Sequence, residues 1–585
     1  MKKFGIAGIC MSVLVFCSLF STYSPLYLRR LQEDLQSHKI DLELKDQGYL
    51  KTVLDSLKAI GYPKELAFLK HELQVLLADA SGSINFAFST DAILNSKADC
   101  FVFFIEEDFT FSKRLQEIAK KKFPNLKALI EQKKFNGGTN STLLIPIQTN
   151  DTVAHLLFLG LGPVKKNNTM DIENLRRALG LLVRLSEKNR FKSLAIQLPP
   201  AARFGVMPDY LGKQVATILN MACYYFDQFM TDTSRMIDNE FDIILFTDAK
   251  DKREIQKGVK EGEHIAEAVN SARLWVDLPP SGMTPLHLEH NAREIAKNHG
   301  MKITIFDEKK INELGMGGIA AVSAGSEREA SLVIMEYKTK KRNAPTIALV
   351  GKGITFDAGG LSLKLAYMHV MKDDMAGAAA VIAAMDAIGR LKPDINVIGV
   401  APLAENLPSG KAIEPGDIVH FYNGKTAEIK NTDAEGRLIL ADALSYIVKH
   451  YKPDAIIDIA TLTGACKAAL GPFFCGMMSN NANLAKKVEK AAKLSGERVW
   501  ALPLDDDYKP AIHSSVADIS NLGNKKYKAG AITAAFFLKN FVGNMPWVHL
   551  DIAGTAFDVP GISYYRDGAT GFGVRLLVEL IMNWK

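Results

Sequence analysis

Two carboxylates and a guanidinium are closely spaced in the octet Asn-Thr-Asp-Ala-Glu-Gly-Arg-Leu at residues 431–438. Asp433, Glu435 and Arg437 occupy alternate positions, and in an extended segment such positions point to one side. Two carboxylates this close repel each other, so one is protonated unless cations neutralise them. A pair of divalent metal ions would neutralise both and leave Arg437 free to hold an anion. The octet therefore predicts a metal site, at a turn that leads into the apolar, helix-forming residues that follow.

A second, glycine-rich segment supplies further candidate ligands: Gly-Lys-Gly-Ile-Thr-Phe-Asp-Ala-Gly-Gly-Leu-Ser-Leu-Lys at residues 351–364. It follows an apolar run at residues 346–350 that is typical of a buried strand. The pair Asp373-Asp374 precedes the next helical stretch and adds two more carboxylates. Oxygen ligands suit Mg²⁺ or Mn²⁺, whereas Zn²⁺ more often takes histidine or cysteine, although carboxylates also bind it. Glycine-rich turns after strands also bind phosphate, but this segment lacks the Walker spacing.

Together the two segments resemble the signature of the leucyl aminopeptidase family, the M17 aminopeptidases with two zinc or manganese ions. Shorter stretches agree in the same order: Asn406-Leu-Pro-Ser-Gly410, Ile459-Ala-Thr-Leu-Thr-Gly-Ala465, Val499-Trp-Ala-Leu-Pro503 and His549-Leu-Asp-Ile-Ala-Gly554. The resemblance covers roughly Ile265 to the C-terminus. It implies a metalloaminopeptidase that hydrolyses the N-terminal residue, preferably leucine or another apolar one, from short peptides.

The resemblance also implies which residues bind two divalent metal ions, Zn²⁺ or Mn²⁺, in each subunit. The tightly bound ion would be held by Lys352, Asp357, Asp374 and Glu435. The more exchangeable ion would be held by Asp357, Asp433 and Glu435. A lysine ligand must lose its proton, which requires strong desolvation and direct contact with the metal. Two metals that share a water would lower its pKa towards neutrality.

Lys364 and Arg437 would be the catalytic groups that bind no metal. The resemblance implies that Lys364 polarises the scissile carbonyl and stabilises the oxyanion. It implies that Arg437 holds a bicarbonate ion that shuttles the proton. A methionine-lined S1 pocket would adapt to leucine, methionine or phenylalanine side chains. The candidate substrate-binding residues are Met368, Met371, Thr461, Leu462, Gly464 and Ala556.

One departure from the family pattern concerns the loop between the second lysine and the ligand aspartate. Ten positions separate Lys364 from Asp374, one fewer than in most relatives, and Leu365 replaces the usual proline. Asp374 is a better ligand candidate than Asp373 because the Met-x-Gly-Ala-Ala that follows fixes the register. The shortened loop is expected to change the shape of the pocket more than the chemistry.

Composition fits a large enzyme with more than one domain. The chain has 585 residues, of which 48% are hydrophobic and 23% are charged, enough for sizeable cores. Its net charge of +6 is modest for this length, so nucleic-acid binding has no compositional support. The six cysteines are scattered, with no Cys-x-x-Cys pair, and imply no disulfide framework.

Apolar strands alternate with helical stretches in both halves of the chain, which predicts an α/β fold with two domains. We expect a smaller N-terminal α/β (macro-like) domain at residues 81–249 and a linker helix at residues 250–274. A larger α/β catalytic domain at residues 275–585 would have a central mixed, largely parallel sheet. Residues 25–80 are charged and predict a helical N-terminal extension. The family resemblance adds a homohexamer.

The N-terminus is unusual for a family whose members are mostly cytosolic or organellar. Lys2 and Lys3 precede an uncharged stretch that runs from Phe4 to Leu28. This pattern predicts a signal peptide or a membrane anchor at residues 1–24, with membrane contact through residues 4–24. A secretory or membrane-associated location follows from it, and the cytoplasm is the alternative that the family suggests.

Three other functions stay open at this stage. An inactive relative could serve as a scaffold, although all five metal ligands and both catalytic residues are present. A DNA-binding regulator would need a basic stripe in the N-terminal domain, and none stands out. A two-metal phosphoesterase would hydrolyse a phosphate ester but not an aminoacyl amide.

Overall fold

The computed structural model describes residues 83–107, 126–149, 152–232, 237 and 240–584. The predicted signal peptide or anchor at residues 1–24 and the predicted extension at residues 25–80 lie outside them. Among the described helices, none is long and apolar enough to cross a membrane.

The strands in the described residues are β1 (Ser83–Ser89), β2 (Cys100–Glu106), β3 (Thr142–Thr149), β4 (Thr152–Gly162), β5 (Ser193–Gln197), β6 (Glu240–Phe246), β7 (Lys302–Phe306), β8 (Ser331–Tyr337), β9 (Thr346–Gly351), β10 (Gly353–Asp357), β11 (Asn396–Asn406), β12 (Ile418–His420), β13 (Thr426–Glu428), β14 (Ala455–Ala460), β15 (Cys475–Ser479), β16 (Val499–Ala501), β17 (Ile519–Ser520) and β18 (Trp547–Asp551). The α-helices are α1 (Leu126–Gln132), α2 (Ile172–Asn189), α3 (Pro208–Cys223), α4 (Lys252–Asp277), α5 (Pro285–His299), α6 (Glu308–Glu313), α7 (Gly317–Ser323), α8 (Ala376–Leu391), α9 (Gly436–His450), α10 (Gly464–Leu470), α11 (Ala482–Ser495), α12 (Gly530–Lys539) and α13 (Val574–Met582).

The N-terminal sheet has the strand order β1-β6-β5-β2-β4-β3. Its neighbours run parallel except at the β3/β4 pair, which is antiparallel. β2 is buried at five of its seven residues and β5 at its three central ones, as expected for strands covered on both faces. Asp171 caps α2 by accepting a hydrogen bond from the backbone of Glu173.

The catalytic sheet has the order β16-β15-β18-β14-β9-β11-β8-β7, and β10 pairs with β11 beside this path. Its centre, β18-β14-β9-β11, is parallel, whereas β8 pairs antiparallel to both β7 and β11. β14 is buried at every residue, and β9 at all but its first. The α/β class with mixed, largely parallel sheets is therefore confirmed.

The site residues lie where the central parallel strands end. β9 ends at Gly351, directly before Lys352, and β10 ends at Asp357. β14 ends at Ala460, directly before Thr461. Because these strands run parallel, their carboxyl ends meet at one edge, where open α/β sheets bind ligands.

The long helix α4 contacts both the N-terminal region and the 3-10 segment that carries Asp374. Arg273 on this helix is wholly buried and donates to the carbonyls of Met221 at 2.7 Å and Ala569 at 2.8 Å. Lys372 donates from Nζ to the carbonyl of Asp277, the last residue of the helix, at 2.5 Å. The segment just before Asp374 is thus held against the end of α4.

Candidate metal centre

Three carboxylates converge at the edge of the catalytic sheet. Asp357, Asp433 and Glu435 each offer an oxygen, and the three oxygens lie within 4.8 Å of one another. Asp357 and Glu435 are buried, and Asp433 is partly exposed. Buried carboxylates this close need cations beside them, because each charge opposes ionisation of the others.

The octet at residues 431–438 is not extended, and this corrects the expectation that its three charged side chains alternate along one wall. Residues 432–433 form a turn, and α9 begins at Gly436, so Arg437 lies in the first helical turn. The hydroxyl of Thr432 donates to the carbonyl of Gly359 at 2.6 Å, which joins the turn to the glycine-rich segment. The apolar residues that follow favour the helix, and Arg437 is part of that helix.

Lys352 lies between two carboxylates and a carbonyl. Its Nζ is 2.8 Å from Oδ1 of Asp374, 2.8 Å from Oε1 of Glu435 and 2.8 Å from the carbonyl of Thr461. Burial lowers the pKa of Lys352, but Asp374 and Glu435 raise it overall. The same ammonium, with Lys364, holds the pKa of Glu435 below its usual range despite burial. Without metal, Lys352 is therefore protonated and neutralises its neighbours.

Lys364 neutralises the other side of the cluster. Its Nζ is 2.8 Å from Oδ2 of Asp357 and 2.5 Å from Oδ1 of Asp433. Burial lowers the pKa of Lys364, while Asp357 and Glu435 raise it overall. Lys364 thus contacts two of the three clustered carboxylates.

The residues present fit divalent cations. Three carboxylate oxygens converge, and Oδ2 of buried Asp374 has no hydrogen-bond partner in the described part of the chain. Oxygen ligands of this kind bind Mn²⁺ and also serve Zn²⁺. Metal binding must displace the proton of Lys352 if that lysine is a ligand, so uptake should release protons.

A supporting residue that the sequence did not single out is Asn406. Its Nδ2 donates to Oδ1 of Asp357 at 2.8 Å and to the carbonyl of Thr432 at 3.0 Å. The backbone of Gly359 donates to the same Asp357 oxygen at 2.8 Å. Asn406 is the register partner of Asp357 in the β10/β11 pair. It belongs to a stretch that resembled the family, but nothing in its type indicated this contact.

Gly436 leaves room for the Lys352 side chain. A Cβ atom at position 436 would lie 2.4 Å from Cε and 2.6 Å from Nζ of Lys352. Both distances are far inside van der Waals contact, so any larger residue here would push the lysine from its place.

We expect Gly436→Ala to lower metal affinity and to reduce kcat by at least about tenfold, because displacing a catalytic group by an ångström is costly. Metal content after dialysis and steady-state rates would measure this. Gly410→Ala is the control, since a Cβ at Gly410 meets nothing within 4 Å. Equal behaviour of the two variants would contradict the steric account.

Arg437 is buried with an unsatisfied donor edge. Its Nη1 donates to the carbonyl of Asn521 at 2.7 Å, and its Nε has no hydrogen-bond partner in the described residues. Burial lowers the pKa of Arg437 to about 10, against the opposing effects of Glu435 and Asp551. The guanidinium is therefore charged at neutral pH, as binding of a small anion requires.

The candidate substrate residues differ in exposure. Met368 and Met371 are partly buried on a 3-10 segment, Met368–Met375, that leads to Asp374. Thr461 is brought to the metal cluster by its carbonyl, which accepts from Lys352. Among the other three candidates, Leu462 is partly buried, Gly464 is exposed and Ala556 is only 2% exposed.

Asp357 should make the stability of the metal-free chain depend on pH. Burial and the charge of Glu435 raise the pKa of Asp357 to about 7. A carboxyl whose pKa is higher in the folded than in the unfolded state stabilises the fold below the unfolded pKa, and this contribution is lost as pH rises through the folded pKa. Between about pH 4 and 7, the wild type should therefore lose stability relative to Asp357→Asn. Thermal unfolding of both proteins with a chelator, across this pH range, would measure this. A difference in melting temperature between wild type and Asp357→Asn that does not change with pH would contradict it.

Comparison with known proteins identifies two family domains. The model described as "Cytosol aminopeptidase family, catalytic domain" matches residues 270–578. The model described as "Cytosol aminopeptidase family, N-terminal domain" matches residues 102–233.

Individual relatives agree with the family models. The chain is 40% identical over 490 residues to a "Probable cytosol aminopeptidase" of Chloroherpeton thalassium, covering 80% of this chain and 94% of the relative. It is 51% identical over 332 residues to one of Chlorobaculum tepidum, covering 56% and 65%. A solved structure of the "Bottromycin maturation enzyme BotP in complex with Mn" is 32% identical, with a TM-score of 0.72, and the match covers 83% of this chain and 99% of that one.

Proposed function

The chain belongs to the cytosol aminopeptidase family and is a metal-dependent aminopeptidase, and we propose that it uses two divalent ions to remove apolar N-terminal residues from short peptides. The observation that carries this proposal is the convergence of Asp357, Asp433 and Glu435 beside Lys352 and Lys364. An inactive relative would be expected to lack one of these groups.

The ligand sets proposed for the two ions are those that the family resemblance implies. Lys352, Asp357, Asp374 and Glu435 would hold one ion, and Asp357, Asp433 and Glu435 the other. When bound, the ions supply a polarised substrate carbonyl and a water of lowered pKa. The similar solved structure of BotP is a complex with Mn, which supports Mn²⁺ as the ion to test first, with Zn²⁺ as the alternative.

Lys364 would stabilise the negative charge that develops on the substrate carbonyl oxygen. Metal ions at Asp357 and Asp433 would take over the neutralisation that the lysine provides, leaving its Nζ free to turn to the substrate. A fixed ammonium in a partly dry site stabilises an oxyanion far more than it would in water.

Arg437 would hold a bicarbonate ion through its remaining Nη donors, and the bound anion would accept a proton from the attacking water. The buried position of Arg437 and the hydrogen bond that holds its Nη1 to Asn521 support this role. The proposed preference for leucine rests on the partly buried Met368 and Met371, whose flexible side chains adapt to several apolar residues.

Assembly and location are also proposals. A homohexamer is proposed from the family resemblance, and light scattering of the purified chain would test it. The name of the similar relatives supports a cytoplasmic location, whereas the sequence pattern at residues 1–24 supports a secretory route or membrane attachment. Fractionation of cells that produce the full chain, with sequencing of its N-terminus, separates these two alternatives.

The function is tested with a panel of aminoacyl amides in the presence and absence of added Mn²⁺. Leucyl and methionyl amides should be cleaved, and N-acetyl-leucyl amide should not, because the proposed reaction needs a free amine. A simple phosphate ester in the same assay examines the phosphoesterase alternative. Cleavage of the acetylated substrate, or of the ester alone, would contradict the proposal.

A further inference from the structure

A buried polar cluster on the catalytic sheet, Asp458 with Trp547 and His549, is not used by the proposed mechanism. Oδ1 of Asp458 is 2.6 Å from Nδ1 of His549, and Oδ2 accepts from Nε1 of Trp547 at 2.5 Å. All three residues are 0% exposed. Both carboxylate oxygens accept hydrogen bonds, so Nδ1 of His549 carries a proton and the ring orientation is fixed.

The cluster lies on the sheet face that packs against α9. Asp458 on β14 and His549 on β18 are register partners, two positions from the Ala460–Asp551 pair. Trp547, His549 and Asp551 share one face because alternate residues of a strand do so. Trp547 packs in the hydrophobic core that includes most of the apolar residues of α9. The sheet face that carries His549 therefore packs against the helix whose first turn carries Arg437.

Two unpaired atoms remain at this place. Nε2 of His549 and Nε of Arg437 are both buried, and neither has a hydrogen-bond partner in the described residues. With Nδ1 protonated, Nε2 of a neutral ring can only accept, whereas the Nε of arginine can only donate. A buried polar atom left without a partner costs free energy, so a complementary pair in one region indicates an interaction between them.

The positive charge of Arg437 acts on the ring of His549. Burial lowers the pKa of His549 and Asp458 raises it overall, while the charge of Arg437 opposes its protonation. Asp551 acts on both His549 and Arg437. Its carboxylate is in turn held by the hydroxyl of Thr463 at 2.6 Å, so its position is fixed.

We propose that His549 is a positioning residue for Arg437: one buried water accepts from Nε of Arg437 and donates to Nε2 of His549. This inference rests on the proposed function of Arg437 but concerns a residue outside the metal ligands. Asn521 holds one end of the guanidinium at Nη1, and His549 would hold the Nε edge. Two fixed points orient the plane of the guanidinium towards an anion, whereas one leaves it free to turn.

Two substitutions distinguish the roles of the two ring nitrogens of His549. In His549→Asn, the amide can still donate to Asp458 as Nδ1 does, but nothing stands in for Nε2. In His549→Gln, the longer side chain can present an oxygen where Nε2 was. At about pH 9, well above the ordinary pKa of histidine, we expect His549→Asn to lower kcat on leucyl amide by about tenfold or more with KM nearly unchanged. His549→Gln should retain more activity.

The decisive comparison repeats both substitutions in an Arg437→Ala background, with His513→Asn as a control on an exposed histidine. If His549 acts through Arg437, the kcat values of His549→Asn and His549→Gln in that background should differ by less than about twofold. The shifts in melting temperature of the metal-free protein for His549→Asn and Arg437→Ala should likewise fall short of their sum in the double variant. Equal losses of kcat in both backgrounds, with additive melting shifts, would overturn the inference.

The melting measurement also keeps the two proposals apart. A wild type that fails to cleave any aminoacyl amide with Mn²⁺ contradicts the proposed function, yet non-additive melting shifts would still support the contact between His549 and Arg437. If His549→Asn does not fold, the same cycle with His549→Gln tests the inference. Retention of most of the wild-type kcat by His549→Gln supports the acceptor role of Nε2, and complete loss opposes it.

Discussion

Replacing Asp374 by asparagine is expected to lower kcat/KM on a leucyl amide by about 10³-fold or more, a loss of at least about 4 kcal/mol of transition-state stabilisation. Oδ1 of Asp374 contacts Lys352 at 2.8 Å, and its other oxygen is buried without a partner in the described chain. An amide would remove the charge that a metal ion needs, and its NH₂ group could face the lysine. Steady-state rates together with the metal content of the dialysed protein would measure the effect.

Asp373 provides a matched control because it is the same residue type on the same 3-10 segment. We expect Asp373→Asn to retain its metal and to stay within about tenfold of the wild-type rate, since the carboxylate that Lys352 contacts is that of Asp374. A larger loss for Asp373→Asn than for Asp374→Asn would show that the shortened loop shifts the ligand by one position. The ligand assignment would then be wrong.

Replacing Lys364 by methionine should lower kcat by roughly 10²–10³-fold, the range for losing one donor that stabilises an oxyanion. Methionine keeps the length and apolar stem of the side chain and removes only the charge. KM should change little, because the interaction develops in the transition state. Rates over a range of substrate concentrations would separate the two parameters.

Metal content distinguishes this role from a structural one. Without its lysine, the carboxylate cluster loses a positive charge that contacts Asp357 and Asp433. Metal binding to Lys364→Met should therefore be at least as tight as in the wild type. If the variant instead loses its metal in proportion to its activity, Lys364 stabilises the centre rather than the transition state, and the catalytic assignment fails.

Much of the fold could be predicted because the central strands are buried on both faces. Such strands appear as short continuous apolar runs, and the run at 347–350 lies within β9, which is buried at all but its first residue. The residues of the metal cluster were found by motif resemblance, since the spacing of an isolated Asp-x-Glu pair does not by itself predict a metal site.

Other features depend on contacts between distant segments. The octet was expected to be extended, but packing of the apolar side of α9 places Arg437 in a helix. Asn406 meets Asp357 only because β10 and β11 pair in parallel. The bond between Asp458 and His549 joins residues 91 positions apart in sequence. No local pattern encodes such pairs, because each partner alone looks like an ordinary strand residue.

The most direct test of the two-metal account is a titration of the chelated wild type with Mn²⁺, in which bound metal per chain and leucyl amide cleavage are measured on the same samples. The account predicts no cleavage without metal, full activity near two bound ions per chain, and loss of the activity on renewed chelation. Undiminished cleavage by a chain that holds no metal would contradict the account.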